Sequence, residues 1–255
     1  MSLFSAILRT SLRNKEDIYF MYKIEDKGHI HPVSQVISEI NAIFSEMGFS
    51  VGIGPEIETE HYNFDALNVP PDHPARDMQD TFWLKPLKDR KVLRTHTTAV
   101  TARTLESERN NLPIRRIFPG KVFRNEATDV THEAQFFQID GMYVDKNVSL
   151  AHLKGTLTHF FRKLLGDDIE IRFRPSYFSF TEPSVEIDIK FKGKWLEVLG
   201  GGMIHPKVFE TAGIDPKKWT GFAFGGGIDR LVMIKYGIDD IRHLYSGDLR
   251  IINQF

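Results

Sequence analysis

Residues 122–141 read VFRNEATDVTHEAQFFQIDG, and FAFGGGIDR follows at 222–230. The first stretch reads as two short strands joined by a polar loop. Alternate residues of a strand share a face. Arg124 and Glu126 therefore point one way, as do Gln138 and Asp140 on the return strand, while the bulky Phe137 and Ile139 pack on the other side. A hairpin that presents an arginine, two carboxylates and an amide on one face makes a floor for a zwitterionic, phosphate-bearing ligand. The second stretch is a glycine-rich turn that leads Arg230 into the first turn of a helix, IDRLVMIKYG. Two arginines from separate segments, with glycines that let backbone approach a ligand, suit a bent nucleotide.

Outward from these stretches, strands are expected at 115–126, 135–145, 169–174, 184–192, 194–200 and 221–225, with FKGK at 191–194 as a hairpin turn. A helix is signalled from Pro32. Val36, Ile37, Ile40, Ile43, Phe44 and Met47 recur at helical spacing, and Gly48 suits the C-terminal end. A second amphipathic helix spans about 149–165, and residues 61–80 read as loop. IYFMYKI at 18–24 reads as either a strand or a short helix. Strands that outnumber helices and follow one another by hairpins argue for α+β, an antiparallel sheet with helices packed on it.

The 255 residues, 41% hydrophobic and 26% charged, suffice for one large or two small globular domains. No apolar run reaches membrane-spanning length and no signal segment opens the chain, so no membrane association is expected. The absence of cysteine excludes disulfides and cysteine-based zinc sites and fits a cytoplasmic protein. A formal net charge of −1 provides no global basic field, so a nucleic acid would have to use local patches or a partner subunit. The ten histidines show no metal-ligand spacing.

The two stretches resemble motifs 2 and 3 of class II aminoacyl-tRNA synthetases. Phe123-Arg124-Asn125-Glu126 matches the aromatic-Arg-x-Glu of motif 2, and Gly225, Gly227, Asp229 and Arg230 match motif 3, with Asp where Glu is usual. MGFSVGIGPEIE, with Pro55, is similar to motif 1. Within the class the match narrows to the phenylalanine–tRNA ligase alpha-subunit family of bacteria. It is carried by YNFDALN at 62–68, PPDHPARDMQDTFWL at 70–84, LRTHTTAVTAR at 93–103 and RPSYFSFTEPSVEIDI at 174–189. WLEVLGGGMIHP at 195–206 and GFAFGGGIDRLVMIKYGIDDIRHLYSGDLR at 221–250 extend it. The resemblance implies a class II aminoacyl-tRNA synthetase catalytic fold over 31–255, with 1–30 as an N-terminal extension. The long helical-hairpin arm usual at the start of the family's alpha subunit has no counterpart in this sequence.

The same resemblance implies ATP-dependent ligation of L-phenylalanine to tRNA(Phe) through an adenylate, with Mg2+. The expected assembly is an α2β2 heterotetramer with a beta subunit. Arg124 would hold the α-phosphate and the carboxylate, and Arg230 the γ-phosphate. Glu126 would orient the adenine amino group, with Phe136, Glu197 and Gly227 also at the ATP site, where Glu197 is a second candidate to bind the Mg2+ that accompanies ATP. His132 and Glu133 would form a loop tip touching ATP and the tRNA acceptor end. Gln138 and Asp140 would face the substrate ammonium, completed by His96 and Thr98. Phe178 and Phe180 would hold the substrate ring, an arrangement worth about 0.5–1.5 kcal/mol beyond burial. Ala223 and Gly225 would close the pocket floor, and Glu182 would bind Mg2+ jointly with the beta subunit.

Each residue also has a plainer reading. Most arginines are exposed or salt-bridged, most Phe pairs are core, a polar loop is normally just solvated, and a turn glutamate usually caps or pairs. The sequence departs from the family at Asp140 (usually Glu), Phe137 (often His), Ser179 (commonly Pro) and Thr97-Thr98-Ala99. Two other functions fit the motifs. One is a class II ligase for another amino acid such as O-phosphoserine or pyrrolysine; the apolar Phe178, Phe180 and Ala223 disfavour phosphoserine, whose pocket needs cationic or hydroxyl-rich walls. The other is a synthetase-like paralogue that binds tRNA or a partner without charging, which loss of the motif arginines would signal.

Overall fold

In the computed structural model, which describes residues 28–76 and 80–255, helix α1 (Pro32–Glu46) opens the unit His31–Phe255. It is followed by β1 (Ser50–Val51), β2 (Ile57–Thr59), α2 (Glu60–Asn63), β3 (Lys91–Leu93) and α3 (Thr98–Ser107). Next come β4 (Ile114–Phe123), β5 (Gln135–Asp145) and α4 (Leu150–Leu165). The chain ends with β6 (Ile171–Phe178), β7 (Thr181–Phe191), β8 (Lys194–Ile204), α5 (Pro206–Thr211), β9 (Thr220–Gly227), α6 (Ile228–Tyr236) and α7 (Leu249–Ile252). The segment 18–24 lies outside the described residues.

Seven strands form one sheet in the order β1-β4-β5-β9-β8-β7-β6. Every pair is antiparallel except β1–β4, which is parallel over Ser50–Val51, so the expected antiparallel sheet carries one short parallel edge. One face is covered by helices. Val36, Ile40 and Phe44 of α1, Leu153, Leu157 and Phe160 of α4, and Leu231 and Val232 of α6 pack there on Ile139, Ile187, Phe222 and Phe224. On the other face a smaller cluster joins Val100 and Leu105 of α3 and Val208 and Phe209 of α5 to Phe118 and Met142. The remainder of that face carries polar residues.

The local signals explain the strong elements. Pro32 sits in the first turn of α1 and the His31 ring accepts from the Val33 amide at 3.2 Å. Ser149 and His152 form a capping box at α4. Lys192 and Gly193 take φ of 48° and 78°, the left-handed pair that closes a two-residue hairpin between β7 and β8. The expected strand at 184–192 in fact begins at Thr181, and that at 194–200 runs on to Ile204.

Where signals are weak, tertiary packing decides. α3 is rich in threonine, a poor helix former, yet buries Ala99, Val100, Ala102 and Leu105. The 61–80 stretch, expected as loop, contains α2's last residues and 3-10 turns at Asp65–Leu67 and Pro74–Arg76.

Two substitutions in α4 test this picture. Leu157 is fully buried, so Leu157→Ala is expected to cost about 2–5 kcal/mol in denaturant unfolding. Gly155 faces solvent with nothing near an added Cβ, so Gly155→Ala is expected to stabilise by about 1 kcal/mol.

Candidate active site

The β4–β5 hairpin and the β9–α6 junction meet over the polar part of the open face. Register pairs Gln138 with Gly227 and Asp140 with Gly225. The hairpin continues past β4, because the Arg124 amide donates to the Ala134 carbonyl at 3.0 Å. These segments enclose a cavity of about 440 Å3.

One end of the cavity is polar and buried. Asp140, 5% exposed, accepts from the Thr98 hydroxyl at 2.7 Å and from the Thr97 hydroxyl. Burial pushes its carboxyl up to about 6, against the pull of those hydroxyls and of Arg94 and Arg124. Gly225 leaves room for this group, since a Cβ there would lie 2.5 Å from Asp140 Oδ1. Gln138 lies on the same face of β5 and also lines the cavity. The His96 ring beside it is held down to about 4 by burial and by the Arg124 charge, so it is neutral at pH 7. Its Nδ1 is buried and has no hydrogen-bond partner among the described residues.

Aromatic rings form another wall. Phe178 ends β6 and Phe180 lies in the turn to β7, so they do not share a strand face as their spacing suggested. The rings nevertheless stack, with centroids 5.8 Å apart and planes at 14°. Gly200 makes this possible, because a Cβ there would meet the Phe178 ring at 2.6 Å. The turn itself is tied to the Asp65–Leu67 turn: Ser179 Oγ donates to the Leu67 carbonyl at 3.3 Å, and Asn68 Nδ2 donates to the Ser179 carbonyl at 2.8 Å.

The wider mouth carries the arginines. Arg124 donates to the Thr95 carbonyl at 3.3 Å and lies 5.2 Å from the Phe136 ring centroid. Burial lowers its pKa, yet arginine stays charged. Arg230 is exposed and donates to the Glu197 carbonyl at 2.9 Å. Glu126, His132 and Glu133 also line the cavity, and the His132 ring pairs with Asp129 at 2.9 Å. The loop is pinned at Val130, whose carbonyl accepts from the Ile241 amide at 2.9 Å. Asp229 braces the junction, accepting from the Phe137 amide at 2.6 Å and from the Tyr245 hydroxyl.

Two expected residues stand apart from this wall. Ala223 is on the same face of β9 as Gly225 but lies within the apolar cluster of Val100 and Met142, against which Phe180 packs. Two residues along a strand separate it from the cavity. Glu182 is largely exposed and pairs with His205 at 3.2 Å, and it belongs to no group of three or more ligating side chains among the described residues. Gly225, expected to make space for a ring, makes space for Asp140 instead.

For a divalent cation, no cluster of three or more ligating side chains exists among the described residues. Glu197, however, lines the cavity with its carboxyl raised by burial and by the neighbouring Glu186. Crowded carboxylates of this kind fit Mg2+, which takes one or two carboxylates and completes its shell with water and phosphate.

The fold agrees with the comparisons with known proteins. Residues 15–255 match the family described as tRNA synthetases class II core domain (F). The phenylalanine–tRNA ligase alpha subunit of Anoxybacillus flavithermus is 52% identical over 241 residues, covering 90% of this chain and 69% of that protein. The chain belongs to the phenylalanine–tRNA ligase alpha-subunit family. The Bacillus cytotoxicus member is 47% identical, covering 100% of this chain and 77% of its own. Among solved structures, pyrrolysyl-tRNA synthetase from Desulfitobacterium hafniense superposes with a TM-score of 0.71 at 18% identity, covering 90% of this chain and 78% of that one, a likeness of fold. No described helix is long and apolar enough to cross a membrane.

Several supporting groups of the site were not legible in the sequence. Asn63 is fully buried: its Oδ1 accepts from the Thr95 amide at 3.2 Å and its Nδ2 donates to Thr95 Oγ1 at 3.0 Å, fixing the turn that carries His96. Thr97, Asn68 and Ile241 were likewise unassigned. Polar residues inside the loop-like YNFDALN run were the available signal.

Gly225→Ala, which drives a methyl into a buried carboxylate, is expected to destabilise by about 1–3 kcal/mol. Gly227→Ala, whose Cβ meets open space, is expected to change stability by less than about 1 kcal/mol. Thermal unfolding of the pair checks this, and equal effects would mean that Asp140 swings freely.

Proposed function

We propose that the cavity activates L-phenylalanine with ATP and passes it to tRNA(Phe), as the names of the relatives indicate for those proteins. The observation that carries this reading is one cavity lined at once by two arginines, a buried carboxylate and a stacked aromatic pair.

The substrate carboxylate oxygen attacks the α-phosphorus of ATP, a P–O bond forms, and the bond to the β-phosphate oxygen breaks to release pyrophosphate. No general base is needed because the nucleophile is already ionised. Arg124 stands where charge grows on the α-phosphate, and Arg230 holds the far phosphates. Positioning supplies much of the remaining rate. Glu126 orients the adenine amino group, with Phe136 and Gly227 beside the nucleotide. His132 and Glu133 meet ATP and the tRNA end. The ribose hydroxyl of the tRNA then attacks the acyl carbon and AMP departs.

Asp140, Gln138, His96 and Thr98 receive the ammonium. Phe178 and Phe180 hold the ring, and Ala223 bounds the far end behind Phe180. Glu197, with Glu186 beside it, would hold Mg2+, which neutralises phosphate charge when bound; Glu182 is exposed enough to share a cation with another subunit. Residues 31–255 act as the catalytic domain and 1–30 as an extension. An α2β2 assembly is supported by the exposed apolar run at Val51, Ile53 and Ile57, which are 47%, 92% and 53% accessible. The cysteine-free sequence and the lack of a membrane-spanning helix among the described residues support a cytoplasmic enzyme.

ATP–pyrophosphate exchange with each amino acid, on the chain assembled with a beta subunit, tests the assignment. Arg124→Ala is expected to lose about 2.7–4 kcal/mol of transition-state stabilisation, roughly 10²–10³ in rate. Exchange within a few-fold of wild type would place Arg124 outside the chemistry. Ala223→Gly removes one methyl behind Phe180, worth about 1 kcal/mol. It is expected to raise exchange with para-chlorophenylalanine relative to phenylalanine, and an unchanged ratio would put Ala223 out of the ring's reach.

A further inference from the structure

Behind the ammonium end lies a second cavity of about 250 Å3, whose walls include Gly54, Arg94, Thr97, Gly120 and Lys121. Arg94 is 4% exposed, yet its side-chain hydrogen bonds go to backbone carbonyls alone. Nε donates to Lys121 at 2.6 Å, and Nη1 to Gly54 at 3.0 Å and Pro55 at 3.3 Å. The same residue's amide donates to the Glu56 carbonyl at 2.9 Å, and its carbonyl accepts from Phe123 at 2.9 Å. A Cβ on Gly120 would meet Arg94 Nη2 at 2.4 Å and Thr97 Cγ2 at 3.5 Å, so guanidinium and threonine share one spot on β4. Thr97 in turn donates to Asp140.

A buried cation with no carboxylate in hydrogen-bond contact is costly unless charges further off balance it, here Glu56, Glu58 and, after them, Asp140. We propose that Arg94 is a positioning residue for the ammonium subsite: its charge and its carbonyl clamp hold the Thr97–Thr98 turn against Asp140 from behind. This rests on the reading of Asp140 as the ammonium acceptor. The guanidinium does not touch substrate. It acts through Asp140, which receives the Thr97 and Thr98 hydroxyls from the start of α3 and the charge of Arg124 from the end of β4. β9 adds only Gly225 at this position.

The sign follows. Asp140 is raised to about 6 by burial while Arg94 and Arg124 pull it down. An ammonium binds the ionised form, so affinity is lost as pH falls through that value. Loss of the Arg94 charge moves this acid limb to higher pH.

The test uses the full chain assembled with a beta subunit, with Arg94→Gln, Arg94→Lys and Asp140→Asn. KM for phenylalanine is followed by exchange from about pH 5.5 to 8. Inhibition by 3-phenylpropionate, which has the ring and carboxylate but no ammonium, is measured alongside. For Arg94→Gln the acid limb is expected to rise by about one pH unit, giving about a tenfold higher KM at the acid end. KM for ATP and inhibition by 3-phenylpropionate stay within about twofold, less than 0.5 kcal/mol. Arg94→Lys keeps the charge and keeps the wild-type limb, so a displaced limb there overturns the proposal even if Arg94→Gln fails to assemble. Equal weakening of phenylalanine and 3-phenylpropionate in Arg94→Gln also overturns it, because the residue would then only support the fold. A raised KM in Asp140→Asn beside an unchanged one in Arg94→Gln removes the role of Arg94 alone. An unchanged KM in Asp140→Asn removes the ammonium placement itself, and the proposal with it.

Discussion

The pleat of β5 is the constraint on which the rest depends. Ile139 points into the three-helix layer and is fully buried there, so Gln138 and Asp140 are forced onto the opposite face. A one-residue slip would put a carboxylate into the apolar layer, which makes the register of the strand energetically unambiguous. Everything polar in the site is then placed relative to that row: Gly225 and Gly227 across from it on β9, Thr97 and Thr98 above Asp140, Arg124 at the hairpin's far end.

The electrostatics of the cavity follow from burial on that face. One end holds a carboxylate pushed up by desolvation against the pull of Arg94 and Arg124, and a histidine pushed down by desolvation and by Arg124. The other end opens to solvent, where Arg230 and the 124–134 loop lie. An apolar stretch with a cation at one end and an anion at the other is complementary to an amino acid zwitterion. The two arginines, Arg124 and Arg230, among the carboxylates of that mouth are complementary to phosphate. The two needs are met by one gradient of burial, not by separate pockets.

Legibility differed by element for physical reasons. The hairpin and α1 were readable because period-two and period-3.6 apolar patterns, a proline at the first turn and a glycine after the last are local signals. α3 was not, because its helix rests on packing of small side chains and not on propensity. Phe178 and Phe180 were legible as a pair but not in mechanism. Strand spacing suggested a shared face, whereas a turn, held by Leu67 and Asn68 more than a hundred positions away, brings the rings together.

By itself the sequence determined the family, the two arginines and the row Gln138–Asp140, since these are motif chemistry and strand alternation. Tertiary structure alone decided what surrounds that row. Thr97 reaching Asp140, Asn63 gripping the His96 turn, Arg94 clamping the segment 54–56 and Ala223 falling behind Phe180 all join residues far apart in the chain. No local pattern encodes such contacts, because their energy comes from burying polar groups together once the sheet has formed.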